Sequence, residues 1–129
     1  MQIDLLRQWR QLVNMTHAEV QAWRNNPRHK LASGKAGWAS LAAIERMLRT
    51  PPQQWTTADW DHARRVCNFN ARHLASHALF GAEVGQSGWS RRAIALRNWG
   101  HDPSKPNSPA RASDAEWLRN HAGARERRR

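Results

Sequence analysis

Residues 56–78, TTADWDHARRVCNFNARHLASHA, decide how the rest of the chain is read. At 100° per residue, Trp60, Ala63, Cys67, Ala71, Leu74 and Ala78 fall on one narrow stripe. Thr56 and Asp59 open the stretch at capping-box spacing, a hydroxyl to accept a helix N–H and an acid to reach back. Val66 and Phe69 point elsewhere, towards the side of His62 and His73. A helix with two apolar faces is touched on both sides, so the longest helix is expected here, over about 57–78, and central. Arg65, Asn68 and Arg72 recur at i, i+3 and i+7 on a third face. Either this face meets a groove or a phosphate backbone, where guanidinium and amide groups can reach base edges, or it is a solvated face.

The same periodicity extends both ways from this helix. Ile3, Leu6, Trp9, Leu12 and Val13 predict a first helix over 2–13. Thr16 and Glu19 form a second capping box, with Met15 placed to staple onto Val20. That helix is short, anchored by Val20 and Trp23, and Asn25-Asn26-Pro27 stops it. Trp38, Leu41, Ala42, Ile44 and Leu48 predict a helix over 38–49, ended by Thr50-Pro51-Pro52. Ser90 caps a helix over 90–99 that buries Ile94, Leu96 and Trp99, and Gly100 stands where a left-handed residue is needed.

Between these elements, 26–37 reads as a polar loop made basic by Arg28, His29, Lys30 and Lys35. It suits either a phosphate grip through backbone N–H groups or a plain connector. Residues 80–88 are punctuated by glycine. Residues 103–112 hold three prolines and read as a linker. Ser113 and Glu116 begin a last short helix carrying Trp117 and Leu118, and the chain closes on a basic tail. No run of alternating β-branched residues occurs. The expected fold is all-α: a compact bundle of about five helices over 1–102, then a linker, short helix and tail over 103–129.

Charge sets the function classes. Twenty-one Lys and Arg face ten Asp and Glu among 129 residues, a formal net charge of +11. Such an excess attracts polyanions, and a surplus made almost entirely of arginine suits bidentate phosphate and guanine contacts. Eight tryptophans with two phenylalanines and no tyrosine are read as core residues at helical spacing, although indole can also stack on bases. The single cysteine, Cys67, forms no internal disulfide and, on the apolar stripe, reads as an inert thiol. No apolar run approaches the roughly 20 residues of a membrane helix. No basic run followed by a long apolar run opens the chain, so the expected address is a bacterial cytoplasm, or a host cytoplasm for a phage or plasmid protein.

Catalytic and metal-binding motifs are thin. His73 and His77 stand at i, i+4, a spacing that can hold one metal, but no Cys, Asp or Glu joins them in the same turn. His62 lies eleven residues away, roughly 16 Å along the axis. Asn98, His101 and Asp102 form a polar cluster, read as a turn lock rather than a nuclease base, since no second acidic motif accompanies it. No phosphate-binding glycine loop or dinucleotide fingerprint is present. No cofactor, metal or catalytic residue is expected.

Val13-Asn14-Met15-Thr16 with Glu19 and Trp23, then Ile44 and Leu48, then Asp59, His62 and Arg72-His73-Leu74, lead to the block Asn98-Trp99-Gly100-His101-Asp102-Pro103. On these residues the chain resembles, over about 6–106, a family of small bacterial and fungal proteins of unknown function, some labelled DNA-binding. The resemblance implies DNA binding and brings no catalytic residue. Met15-Thr16 with Glu19 and a following aromatic is also similar to the helical modules of SAP-type DNA-binding domains. The chain departs from the family where Gly88-Trp89-Ser90-Arg91-Arg92 replaces a tryptophan with a nearby tyrosine, and in residues 107–129.

Charge and resemblance together predict a non-catalytic nucleic-acid-binding protein, DNA before RNA. The expected phosphate contacts are Arg91, Arg92, Arg97, Lys105, Arg111, Arg125, Arg127, Arg128 and Arg129, with Arg65, Asn68 and Arg72 as candidate readers of bases. The alternative is a phage- or plasmid-type inhibitor or accessory protein docked on an acidic surface of a nucleic-acid enzyme. A small nuclease using His73 or His101 ranks third.

Overall fold

The computed structural model describes residues 2–32, 34–75 and 89–108. The described residues form five α-helices: α1 Ile3–Leu12, α2 His17–Arg24, α3 Lys35–Leu48, α4 Thr57–Ala75 and α5 Arg91–Asn98. Short 3-10 turns at Pro27–Leu31 and Pro52–Gln54 join them, and no strand occurs among the described residues. The fold is all-α, as the periodicity predicts.

Both capping boxes form. The Thr16 hydroxyl accepts from the Glu19 N–H at 3.2 Å, and the Glu19 carboxylate accepts from the Thr16 N–H at 2.9 Å. The Thr56–Asp59 box repeats this at 3.2 and 3.0 Å. Each box satisfies two helix N–H groups that would otherwise lack partners. Ser90 caps α5 through the Ala93 N–H at 3.1 Å.

Two expectations are corrected. The basic stretch at 26–37 is no open loop. Asn26 caps the Pro27–Leu31 turn, His29 and Ala32 are buried, and α3 starts at Lys35. Residues 103–108 do not leave as a linker. Ser108 is buried, and Lys105 bonds the Asn14 carbonyl at 2.7 Å and Glu19 at 2.6 Å, so this segment lies across the start of α2. The remainder of the expected linker, the 80–88 loop, the C-terminal helix and the tail lie outside the described residues.

α4 packs against α1 and α3, while α3 also packs against α2 and α5. The centre is therefore shared by two helices. Leu41 and Ile44 of α3 and Ala63, Val66 and Cys67 of α4 are wholly enclosed. Trp55 meets Trp9 and Trp60 edge-on, with ring centroids 5.3 and 4.8 Å apart, and its indole N–H bonds the Thr50 carbonyl at 3.1 Å. The large rings thus fill the seam between α1 and α4 while the polar edge of Trp55 is satisfied. No described helix is long and apolar enough to cross a membrane.

Gly100 terminates α5 with φ +83°, and a Cβ there would lie 3.1 Å from Val13 Cγ1 and 3.4 Å from Ile44 Cδ1. An L-residue in this conformation costs roughly 1–2 kcal/mol before any crowding. Gly100→Ala is expected to destabilise the domain by about 2 kcal/mol and lower Tm by about 10 °C in a thermal melt. An unchanged Tm would show that the turn relaxes freely.

Candidate nucleic-acid interface

A buried polar network fixes α5, and with it everything α5 displays. The Asn98 side chain is fully enclosed. Its oxygen accepts from the Trp23 indole N–H at 2.8 Å, and its amide donates to the carbonyls of His29 and Ala32 at 2.9 and 3.2 Å. Asn14 and Asp102 bond reciprocally: the Asn14 amide donates to the Asp102 carbonyl at 2.9 Å, and the Asp102 N–H donates to Asn14 Oδ1 at 2.6 Å. His101 is also enclosed; Nδ1 lies 2.6 Å from the Leu12 carbonyl and Nε2 2.7 Å from Ser108 Oγ. A carbonyl only accepts, which assigns the proton to Nδ1 and leaves Nε2 to accept from the serine. Burial pushes the His101 pKa down against the smaller upward pull of the Leu12 carbonyl and Asp102. The cluster is a lock, and His101 has no access to act as a general base.

Two cations expected at phosphates are used inside this lock. The Arg97 guanidinium carbon lies 4.3 Å from the Trp23 ring and 4.4 Å from the Trp89 ring, with its side chain only 17% exposed and Asp102 at 4.0 Å. A guanidinium between two indole faces fills a packing position. Lys105 is held by Glu19 and the Asn14 carbonyl. Arg97 and Lys105 therefore leave the expected contact set, because their charged heads already have partners that a phosphate would have to displace.

The other described cations divide sharply. Fifteen Lys and Arg and six Asp and Glu fall in the described residues. Five of the six carboxylates are taken: Asp4 by Arg7, Glu19 by Lys105, Glu45 by Arg24 and His17, Asp59 by Arg46, and Asp102 by Arg97. Arg10, Arg28, Lys30, Lys35, Arg49, Arg64, Arg65, Arg72 and Arg91 form no ion pair with a described carboxylate. Several of these gather on one side. Arg65, Asn68 and Arg72 are all exposed on α4. Leu74, in the last turn of α4, packs against Ala93 and Leu96 of α5, so the end of α4 lies beside α5. Arg91 donates to the Leu31 carbonyl at 3.2 Å, and Lys30 stands over the Trp38 ring at 5.7 Å. A basic band thus runs from α4, across the start of α5, to the Pro27–Leu31 turn. Asp61, exposed one turn before Arg65, is the carboxylate on this side of α4. Arg111, Arg125, Arg127, Arg128 and Arg129 lie outside the described residues.

Four aromatic rings follow the same side of α4. His62 stacks towards Trp99 at 6.1 Å, Trp99 on Phe69 at 4.5 Å, and Phe69 meets His73 at 4.1 Å. All four are half-buried. The Asn70 amide holds the Trp99 carbonyl at 2.9 Å, while Ser40 Oγ and Arg65 lie 3.0 and 3.2 Å from the two nitrogens of His62. The spacing of His62, Phe69 and His73 at i, i+7 and i+11 was the available sequence signal for this row. Trp99 arrives from thirty residues away, and no local pattern announces it.

No cluster of three metal-ligating side chains occurs among the described residues; His77 lies outside them. Cys67 is enclosed, and burial alone pushes its thiol up to about 11, so it stays protonated and inert. A family model described as "Protein of unknown function (DUF3140)" matches residues 8–93. The Asn98–Pro103 block, on which the resemblance drew most, lies beyond that match. No curated protein and no solved structure matches the chain.

Removing Asn98 strands an indole N–H and two carbonyls in the interior, and each unmet partner costs about 1–3 kcal/mol. Asn98→Ala is expected to lose at least about 3 kcal/mol in urea unfolding, whereas a loss below about 1 kcal/mol would contradict the bridging role. The pH dependence follows from His62, His73 and His101, all lowered chiefly by burial. Between the folded and unfolded values the unfolded chain binds more protons, so stability present above about pH 6.5 is lost as pH falls. A thermal melt at pH 5 should give a lower Tm than at pH 7; a flat profile would refute this.

Proposed function

The chain belongs to the DUF3140 family, a membership that assigns no activity, and from its own surface we propose that it is a non-catalytic nucleic-acid-binding protein. The observation that carries this reading is the separation of its cations into paired and unpaired sets. Carboxylates take up Arg7, Arg24, Arg46, Arg97 and Lys105, while Arg65, Arg72 and Arg91 meet no described carboxylate and stand with Arg92 on one band. A merely solubilising surface has no reason to collect like charges on neighbouring helices, where they repel. A polyanion supplies the missing counter-charge.

Position adds to charge. Arg91 and Arg92 occupy the first turn of α5, which holds no acidic residue. That end of a helix carries a partial positive charge and favours an anion. Arg65, Arg72, Arg91 and Arg92 bind backbone phosphates, and Asn68 is placed beside them to reach a base edge. The arginines outside the described residues extend the same contact set. Cytoplasmic location, and DNA in preference to RNA, belong to this proposal.

The test is a fluorescence-anisotropy titration of labelled DNA and RNA across 50–200 mM KCl. Four phosphate contacts predict a log–log slope of about −3.6, a weakening on the order of a hundredfold over that range. Arg72→Ala and Arg91→Ala should each weaken binding and make the slope shallower by about one. A salt-independent affinity would end the proposal. A protein partner that survives exhaustive nuclease digestion in a pull-down would replace it with docking on an acidic protein surface.

A further inference from the structure

The described aromatic side chains differ in burial; Trp38, Trp60 and Trp89 are half-buried against His29, Trp55 and Arg97 respectively. Trp9, Trp23 and Trp55 are at most 8% exposed and belong to the core. His62, Trp99, Phe69 and His73 are half-buried and form a continuous row, each ring against the next. We propose that this row is a stacking surface for unpaired nucleobases, which makes single-stranded nucleic acid the preferred ligand. The proposal rests on the nucleic-acid reading above and names its substrate class.

Helix geometry sets a cation track beside the ring track. At 100° per residue, Phe69 and His73 fall about 20° either side of His62, so the three lie along one stripe of α4. Arg65 and Arg72 lie about 60° and 80° round the axis from His62, and Asn68 about 120°. Rings and guanidinium groups therefore run side by side along the helix. A single strand offers the matching pair of tracks: bases that stack on rings of any kind, and a phosphate backbone that follows the cations. Duplex DNA keeps its base faces stacked inside and offers only the backbone and groove edges.

Three features fit the rings to this use. His62 and His73 are both held below the usual histidine range, chiefly by burial. At neutral pH they present uncharged aromatic faces rather than further cations. Trp99 is pinned by Asn70 through its carbonyl, so the row is pre-formed and little order is lost when a base is added. Guanidinium groups stand at both ends of the row, Arg65 bonded to His62 and the exposed Arg72 next to His73 in the helix.

The experiment compares oligo(dT), oligo(U) and a duplex of equal phosphate number, titrated into the full chain at 100 mM KCl. The wild type is expected to bind the single strands at least tenfold more tightly than the duplex; the two strands distinguish DNA from RNA. Phe69→Leu and His73→Leu, each retaining side-chain bulk, should weaken single-strand binding about tenfold and leave duplex binding unchanged. Duplex binding equal to or tighter than single-strand binding overturns the stacking surface while the salt slope still supports nucleic-acid binding. No binding to any of the three, even at 50 mM KCl, removes both readings. Variants that keep the wild-type Tm but lose affinity equally for both forms show that the rings act only through the fold, and also overturn the proposal. If either variant unfolds, the wild-type ratio decides alone.

Discussion

The domain depends on a small set of buried hydrogen bonds joining its beginning to its end. Asn98 ties α5 to the Trp23 indole and to two carbonyls around the Pro27–Leu31 turn, and Asn14 and Asp102 hold each other by a reciprocal pair. Apolar packing alone lets helices slide and rotate at modest cost, whereas a buried amide with three partners accepts only one register. Arg91 and Arg92 ride on α5, and Trp99 follows directly after it. The same bonds that close the core therefore set the cations and the Trp99 ring against α4.

Helix positions were largely legible in the sequence because each has a local cause. Thr16 with Glu19, Thr56 with Asp59, Ser90 and Gly100 act within a few residues, and all behave as their chemistry dictates. The failures share the opposite property. The 26–37 stretch looked open because its cations are local, but its carbonyls are held by Asn98 from across the chain. Residues 103–108 looked like a linker because of their prolines, yet Lys105 and Ser108 find partners in the first helices and in His101. Arg97 could not be told from Arg91 by residue type. Only the two tryptophans that enclose it separate a packed guanidinium from an available one.

Composition was right about charge but silent on its arrangement. The basic C-terminal tail draws the eye, yet the described residues alone hold fifteen of the twenty-one Lys and Arg and six of the ten Asp and Glu. The excess is chiefly carried by the described residues. Pairing then sorts it: each carboxylate that meets a cation removes it from the surface field, and what is left defines a direction. Net charge predicts attraction to polyanions in general, while this residue-by-residue sorting gives the attraction a face.

The Asn14–Asp102 pair and the Lys105–Asn14 bond span 88 and 91 residues of sequence. During synthesis, α1 and α2 leave the ribosome well before the segment that locks them has been made. At roughly 5–20 residues per second that interval lasts on the order of five to twenty seconds. Through it, a nascent chain rich in arginine waits without its closing segment. The Thr16–Glu19 capping box, which needs no distant partner, gives α2 a local anchor while translation proceeds.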